Sequence, residues 1–387
     1  MQLNKQTTNE IELWSKDFIL FCISFFMQFF NIALLYLYPI SLEKIGCKEH
    51  VIGFVMGIFS IAAVITRPYM GKLASIKGEK KIISYGLIIS FIASIGYAFI
   101  SSFGVYMLIN RILHGIGLSA FLAGSFSIAA KTFPEKTRGE AFSILGAAIM
   151  GAVALGPAIG EMLMSKFGFT SIYYAAATAI LLGLISSEIV SESITLNNKA
   201  ETIPKFSSSL IFKKKPFMIL LLSTIIFAHC QATVPTFLVL IANENGGNTG
   251  AYFFIAYGSS ILIMLSMGKS IDKHGKIIFM QISYPILMLG ILLIPITIRT
   301  NLFYISAILY GIGIGLLFPA HNAMAAEYGN QSEKPLVMAI FTSVYDTGFI
   351  TGATISGLIA YQSSLDTTFY ITGVFAVCGL IIVKFLK

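Results

Sequence analysis

One aspartate stands in the middle of an apolar stretch: Asp346, in SVYDTGFITG. An acid at the centre of a bilayer costs about 2.5–3.5 kcal/mol on insertion scales, so such a residue faces a cavity, a partner or a proton path. A carboxyl group there can hold or release a proton, which makes Asp346 a candidate proton carrier. The plainer reading is a bond between two helices. Arg111, in NRILHGIG, reads as the one basic residue deep within an apolar segment. Its guanidinium stays protonated and supplies a permanent charge. That charge can hold a carboxylate, polarise a proton-binding network, meet an anionic substrate, or clamp backbone carbonyls of neighbouring helices. His114 follows three residues later on nearly the same helical face and adds a second group able to take up a proton.

A second set of polar groups lies in otherwise apolar runs: Gln28 and Asn31, His229 and Gln231, His321 and Asn322. Such groups suit a central cavity that binds a polar solute, and each is equally explained by a hydrogen bond between helices. Gly151, Gly156 and Gly160 permit close backbone approach, and Pro157 can bend the helix that carries them. A helix of this kind can seal one face of a protein while the other opens. Glu161, just beyond, reads as a gate or as an interfacial charge. Two basic loops, one with Gly71 and Gly78, the other with Gly268, Asp272 and Gly275, can bridge to acids or helix C-termini nearby. Enzymatic chemistry is not expected, because no paired catalytic acids or nucleophile elbow appears. A nucleotide-binding GxxxxGK[ST] loop is also missing, so ATP is not the direct energy source. Cys22, Cys47, Cys230 and Cys378 fall in unrelated segments without metal spacing, so neither a metal nor a cofactor is expected.

These residues need elements to position them. The chain has 387 residues, 56% hydrophobic and 11% charged, against about 25% charged in soluble domains. Spans of about 20 apolar residues read near 17–42, 51–75, 82–102, 104–130, 140–165 and 169–190. They resume near 216–241, 250–271, 277–298, 301–326, 335–361 and 367–386. The polar start and the long first apolar stretch do not read as a cleavable leader. An all-α integral membrane protein of twelve transmembrane helices is therefore expected. Of 26 lysines and arginines, only Lys44, Lys48, Lys166 and Arg299 fall in one set of loops; apart from Arg111, the rest, Arg67 among them, fall in the other. Positive charge marks the cytoplasmic side, which puts both termini in the cytoplasm and argues against reading the net charge of +8 as a nucleic-acid footprint.

The halves repeat. GKLASIKGEKKII from Gly71 is echoed by GKSIDKHGKII from Gly268, HGIG at 114–117 by YGIG at 310–313, and Gly151 and Gly156 by Gly352 and Gly357. Three matches in one order predict two pseudo-symmetric six-helix bundles in parallel orientation, over 1–190 and 216–387, with a cytoplasmic linker at 191–215.

At this point the sequence resembles the major facilitator superfamily over nearly its whole length. The first basic loop is similar to that family's GxLaDrxGrkxx signature at Gly71, Leu73, Gly78, Lys80 and Lys81, with Ser75 in place of the aspartate; the second keeps Asp272, Gly275 and Lys276. Span four is similar to the RxxqGxg pattern at Arg111, Gly115 and Gly117. Span five, GAVALGPAIGE, is similar to a pattern associated with antiporters and drug exporters, with Glu161 at its last glycine. The resemblance implies alternating access and a link between Arg111 and proton coupling. It points to a secondary transporter, proton-coupled and exporting a small organic molecule, with an uptake permease or facilitator for a sugar or similar nutrient as the alternative. A lipid-handling membrane protein is a more distant reading. The expected partners are a small-molecule substrate, protons and the bilayer of the cytoplasmic membrane, with the chain acting as a monomer. No acid lies between Asp17 and Glu43, which argues against cationic drugs as the substrate.

Overall fold

The computed structural model describes residues 14–133, 138–190, 215–328 and 334–386. Nearly all of the 191–215 linker expected from sequence lies outside the described residues. Twelve long helices carry the fold: α1 (Lys16–Lys44), α2 (Glu49–Lys77), α3 (Glu79–Phe99), α4 (Val105–Thr132), α5 (Arg138–Phe167) and α6 (Thr170–Ile189). The second set is α7 (Lys215–Asn245), α8 (Thr249–His274), α9 (Lys276–Thr297), α10 (Phe303–Ala325), α11 (Lys334–Gln362) and α12 (Leu365–Val383). In lipid every backbone polar group needs a partner within the protein, and a helix supplies nearly all of them locally. The remaining N-terminal donors are met by caps such as Ser15 Oγ, which accepts from Phe18 N at 3.2 Å, and Ser364 Oγ, which accepts from Thr367 N at 3.1 Å.

Among the described residues, eleven helices are long and apolar enough to cross a membrane. Helix α11 is the long helix outside that set; it carries Asp346 together with Thr342, Ser343, Thr347, Thr351 and Thr354. Helix α1 is interrupted by a 3₁₀ turn at Leu35–Leu37.

The internal repeat is visible in the packing. In the first six helices α1 packs on α5 and α6, α2 and α3 pack on α4, and α3 packs on α6. In the last six α7 packs on α11 and α12, α8 and α9 pack on α10, and α9 packs on α12. Each pair in the first set has its counterpart six helices on. Two further pairs, α2 with α11 and α5 with α8, join the sets and exchange with each other under the same relation. The turns between α2 and α3 and between α8 and α9 match as well. Gly78 (φ +93°) and Gly275 (φ +100°) sit at these equivalent junctions, in a conformation glycine adopts at no steric cost. The short turns within each set make neighbouring helices antiparallel, and the start of α2 meets the end of α11, so the start of α1 and the end of α12 lie at one end of the bundle, here called the terminal end.

Candidate functional site

A cavity of about 370 Å³ lies where the two six-helix sets meet, with walls from both. Phenyl, phenol and aliphatic side chains form most of its lining, among them Phe29, Tyr36, Phe59, Phe126, Phe318 and Phe349. Against this apolar wall stand a few convergent polar groups, the pattern of a small-molecule site.

On one side, Arg67 of α2 donates from a terminal guanidinium nitrogen to Asp346 Oδ2 of α11, a salt bridge between the two sets in which both side chains are about three-quarters covered (25% and 23% exposed). Arg67 was grouped by sequence with the loop cations. Helix α2 instead runs on to Lys77, which buries Arg67 nearly three turns inside it and corrects the reading of Arg111 as the one basic residue deep in a span. Next to Asp346, Tyr345 donates its hydroxyl to Gln231 Oε1 of α7.

Arg111 sits elsewhere on the wall, 3% exposed. Its Nε donates to Val55 O at 3.1 Å, one terminal nitrogen to the Tyr97 hydroxyl at 3.1 Å, and the other to Met56 Sδ at 3.1 Å. The guanidinium carbon lies 5.0 Å from the ring centre of Phe59, 5.5 Å from that of Tyr38 and 5.9 Å from that of Tyr97. Cation–π contacts contribute about 0.5–2 kcal/mol each, yet they do not neutralise the charge. Among the described residues Arg111 has no salt bridge, and desolvating an unpaired charge costs several kcal/mol.

Arg111 heads a chain of hydrogen bonds. Asn31 Nδ2 donates to Ser94 Oγ at 2.6 Å and to Ala176 O at 3.0 Å, which leaves Asn31 Oδ1 as the acceptor for His114 Nε2 at 2.9 Å. His114 Nδ1 then meets the Tyr97 hydroxyl at 3.1 Å, and that oxygen receives Arg111. The Asn31 amide thus orients His114 with Nε2 as a donor.

The sequence candidates divide accordingly. Asp346, Arg111, His114, Gln231 and Asn322 line the cavity. Gln28, Asn31, His229 and His321 are not among the residues that line it. Gln28 is fully buried and Asn31 is turned towards α3 and α6. His321 bonds Leu317 O at 2.8 Å and Ser223 Oγ at 2.9 Å beneath Phe227. His229 bonds Thr351 Oγ1 at 3.3 Å and meets the edge of Phe375. On α1 the residues that line the cavity are Phe29, Ile32, Leu35 and Tyr36, and Asn31 lies about 100° round the helix from Ile32.

The close contacts between the two sets gather at the end opposite the termini. A Cβ on Gly53 would lie 2.3 Å from Ala353 O and 3.0 Å from the Gly357 Cα, and one on Gly57 would lie 2.7 Å from Thr354 Cγ2. The rings of His50 and Tyr361 meet at a tilt across the same seam with centres 4.0 Å apart. Across the molecule, Glu161 Oε2 accepts the backbone N–H of Gly250 at 2.5 Å, at the first turn of α8, and a Cβ on Gly250 would lie 2.6 Å from the Ala158 Cα. Glu161 thus joins α5 to α8. An ionised carboxylate at a helix N-terminus contributes about 1 kcal/mol through its charge. Glu161→Gln keeps an acceptor and removes that charge, so the population with this end open should rise roughly fivefold. Spin labels at Ser165 and Asn243 would read this as a longer distance component; an unchanged distribution would leave Glu161 without a closing role.

The remaining conformational candidates pack within their own set. Gly156 and Gly160 abut Ala33, Leu34 and Leu37 of α1, a Cβ on Gly156 lying 2.4 Å from Ala33 Cβ, while Gly151 has only Phe26 at 3.8 Å. Pro157 lies between them inside a continuous α5. Beyond the Gly78 turn, Lys80 Nζ donates to Glu188 O at 2.9 Å and Val190 O at 2.8 Å, carbonyls at the C-terminal end of α6, so this loop does bridge to a helix C-terminus. In the counterpart loop Lys276 pairs with Glu327. Gly71 has nothing within 4 Å of a Cβ. The surroundings of Gly268 and Asp272 lie outside the described residues.

Comparison with known proteins follows this geometry. A family model described as Major Facilitator Superfamily matches residues 19–300 and 249–387. An uncharacterized MFS-type transporter of Methanocaldococcus jannaschii is 26% identical over 346 residues, covering 87% of this chain and 88% of its own. The staphylopine export protein of Staphylococcus aureus is 22% identical over 367 residues, covering 90% of each. The crystal structure of a mutant of the nucleoside transporter NupG superposes with a TM-score of 0.80 at 15% identity, covering 96% of this chain and 99% of that one. That likeness establishes the twelve-helix fold of two pseudo-symmetric six-helix bundles.

Proposed function

The chain belongs to the major facilitator superfamily, and from that premise we propose that it exports a small organic molecule by proton-coupled alternating access. It is a multi-pass membrane transporter and not an enzyme. The observation that carries the finer reading is the Arg67–Asp346 salt bridge, which ties α2 to α11 across the cavity. A proton arriving on Asp346 removes the charge that holds Arg67 and so changes the attraction between the halves. Binding of a proton and motion of the halves are thereby one event.

Residues 1–190 and 216–387 act as the two rocking units, joined by a cytoplasmic linker at 191–215, with both termini in the cytoplasm. The gathering of inter-half contacts at the far end corresponds to a cavity open to the cytoplasm. Gln231 and Asn322 contact the substrate from α7 and α10, while His114 and Arg111 tune the site from α4. The glycines of α5 with Pro157, and the loops at Gly71–Gly78 and Gly268–Gly275, accommodate the motion. The chain works as a monomer in the cell membrane. Export as the direction is supported by the name of the staphylopine export relative; uptake of a nutrient is the competing reading.

The test is flux into proteoliposomes with an imposed pH gradient, using a panel of sugars, nucleosides, cationic dyes and aromatic carboxylates. At least one solute should accumulate against its gradient, moving opposite to the proton. Movement with the proton would reverse the direction, and flux indifferent to the pH gradient would remove the coupling.

A further inference from the structure

The closed end of the cavity holds a charge that no acid among the described residues pairs with. Arg111 bonds Val55 O, and Val55 lies between Gly53 and Gly57, the residues that seal α2 against α11. The guanidinium therefore stands directly behind the seam, at the floor of the cavity. Three of its five N–H groups are used, one of them by the Met56 thioether, a weak acceptor. Met56 and Arg111 both line the cavity, so the weakest of these bonds is the one an incoming oxygen displaces.

The charges of the lining do not cancel. Arg67, Arg111 and Asp346 are its arginines and its acid among the described residues. Asp346 is held by Arg67, and from Val55 to Arg67 is ~18 Å along α2 at the helical rise. The acid is thus engaged elsewhere, and α1, which lacks any acid between Asp17 and Glu43, offers no substitute. The floor of the cavity is positive and collared by Tyr38, Phe59 and Tyr97.

We infer that this cavity takes an amphipathic organic anion, its carboxylate or similar anionic head on Arg111 and its apolar body running along the aromatic wall towards Arg67 and Asp346. An arginine recognises such a head in its own plane by paired N–H donation, and the same charge repels cations of equal shape. The inference rests on the reading of this cavity as the transport site and is independent of the direction of transport. Head group and proton act on groups far apart, so either can be lost without the other.

The probe is tritiated 2-naphthoate, bound to the full-length protein in nanodiscs and read by scintillation proximity. Unlabelled 2-naphthamide and 2-naphthyltrimethylammonium serve as neutral and cationic competitors of the same body. Saturable naphthoate binding is expected, displaced by naphthoate and not by the cation or the amide at equal concentration. Arg111→Gln should weaken it by about tenfold or more, the loss of a charged hydrogen bond. Met56→Glu leaves Arg111 in place but gives it an internal carboxylate, and should weaken binding as much. Met56→Glu also carries the test should Arg111→Gln fail to assemble. No saturable binding, displacement by the cation as effective as by naphthoate, or a Met56→Glu protein that binds like the parent would overturn the anion site. Naphthoate that binds through Arg111 but is never driven by a pH gradient sinks the transport proposal and leaves this site standing. Proton-driven flux of another solute without Arg111-dependent naphthoate binding does the reverse.

Discussion

Proteoliposomes carrying Asp346→Asn lose proton-driven accumulation of the transported solute by about two orders of magnitude and still bind it. Removing one partner of a largely buried pair costs about 3 kcal/mol at the lower end of the usual range, which is about hundredfold in the balance between the two access states. Asparagine keeps the shape of the side chain and cannot take up a proton, so the loss reads coupling and not volume. Asp346→Glu retains the titrating group and should recover part of the flux. Arg67→Gln removes the partner of Asp346 and should disturb the balance of states while leaving a carboxyl that still responds to the pH gradient. If Asp346→Asn concentrates solute as the parent does, the salt bridge is a structural tie and the coupling group lies elsewhere, with His114 and Glu161 next in line.

The second large effect comes from a single methyl group. Gly53→Ala places a Cβ 2.3 Å from Ala353 O and 3.0 Å from the Gly357 Cα. Both are backbone atoms, so the added group cannot be absorbed by a rotamer change, and overpacking of this kind costs about 1–3 kcal/mol. The two helices must separate, and flux should fall by at least about tenfold, with spin-labelled α2 and α11 showing a wider gap at the end opposite the termini. Gly258→Ala is the matched control. Its Cβ would enter open space, so flux should stay within about twofold of the parent, a change inside the usual surface range. A Gly53→Ala protein as active as the Gly258→Ala protein would show that the seam need not close for transport.

Gly71 belongs to the loop signature that brought the family into view, and Gly53 belongs to no signature at all. Sequence patterns mark residues whose type is unusual for their surroundings. They do not mark a glycine whose importance comes from another helix lying against it. The same limit explains the polar residues. Asp346 and Arg111 stand out because charge in an apolar run is costly wherever it faces, and both line the cavity. Gln28, Asn31, His229 and His321 stand out less strongly, and hydropathy carries no information on which stripe of a helix faces the cavity and which faces its own bundle. Arg67 was missed for a third reason. It lies close to Lys72, Lys77, Lys80 and Lys81, and was counted with that basic cluster. A signal was available, since the apolar segment read at 51–75 already contains position 67. The helices, their number and the repeat were legible because the apolar pattern and the duplicated glycines act over whole segments. The salt bridge was not, because its partners are 279 positions apart.

Helix α11 has a further consequence, for biogenesis. It is the long helix outside the eleven that are apolar enough to cross a membrane, and Asp346 adds about 2.5–3.5 kcal/mol to its insertion. As the chain emerges, α11 follows ten helices already made, with α2 bringing Arg67 and α7 offering Gln231 through Tyr345. Its entry is most favourable as one member of an assembling bundle, docking as it leaves the insertion machinery, and least favourable alone. The group that times the transport cycle is thus also the group that makes one helix depend on its neighbours for a place in the bilayer. Asp346→Asn, inert as a transporter, should reach the membrane at least as well as the parent.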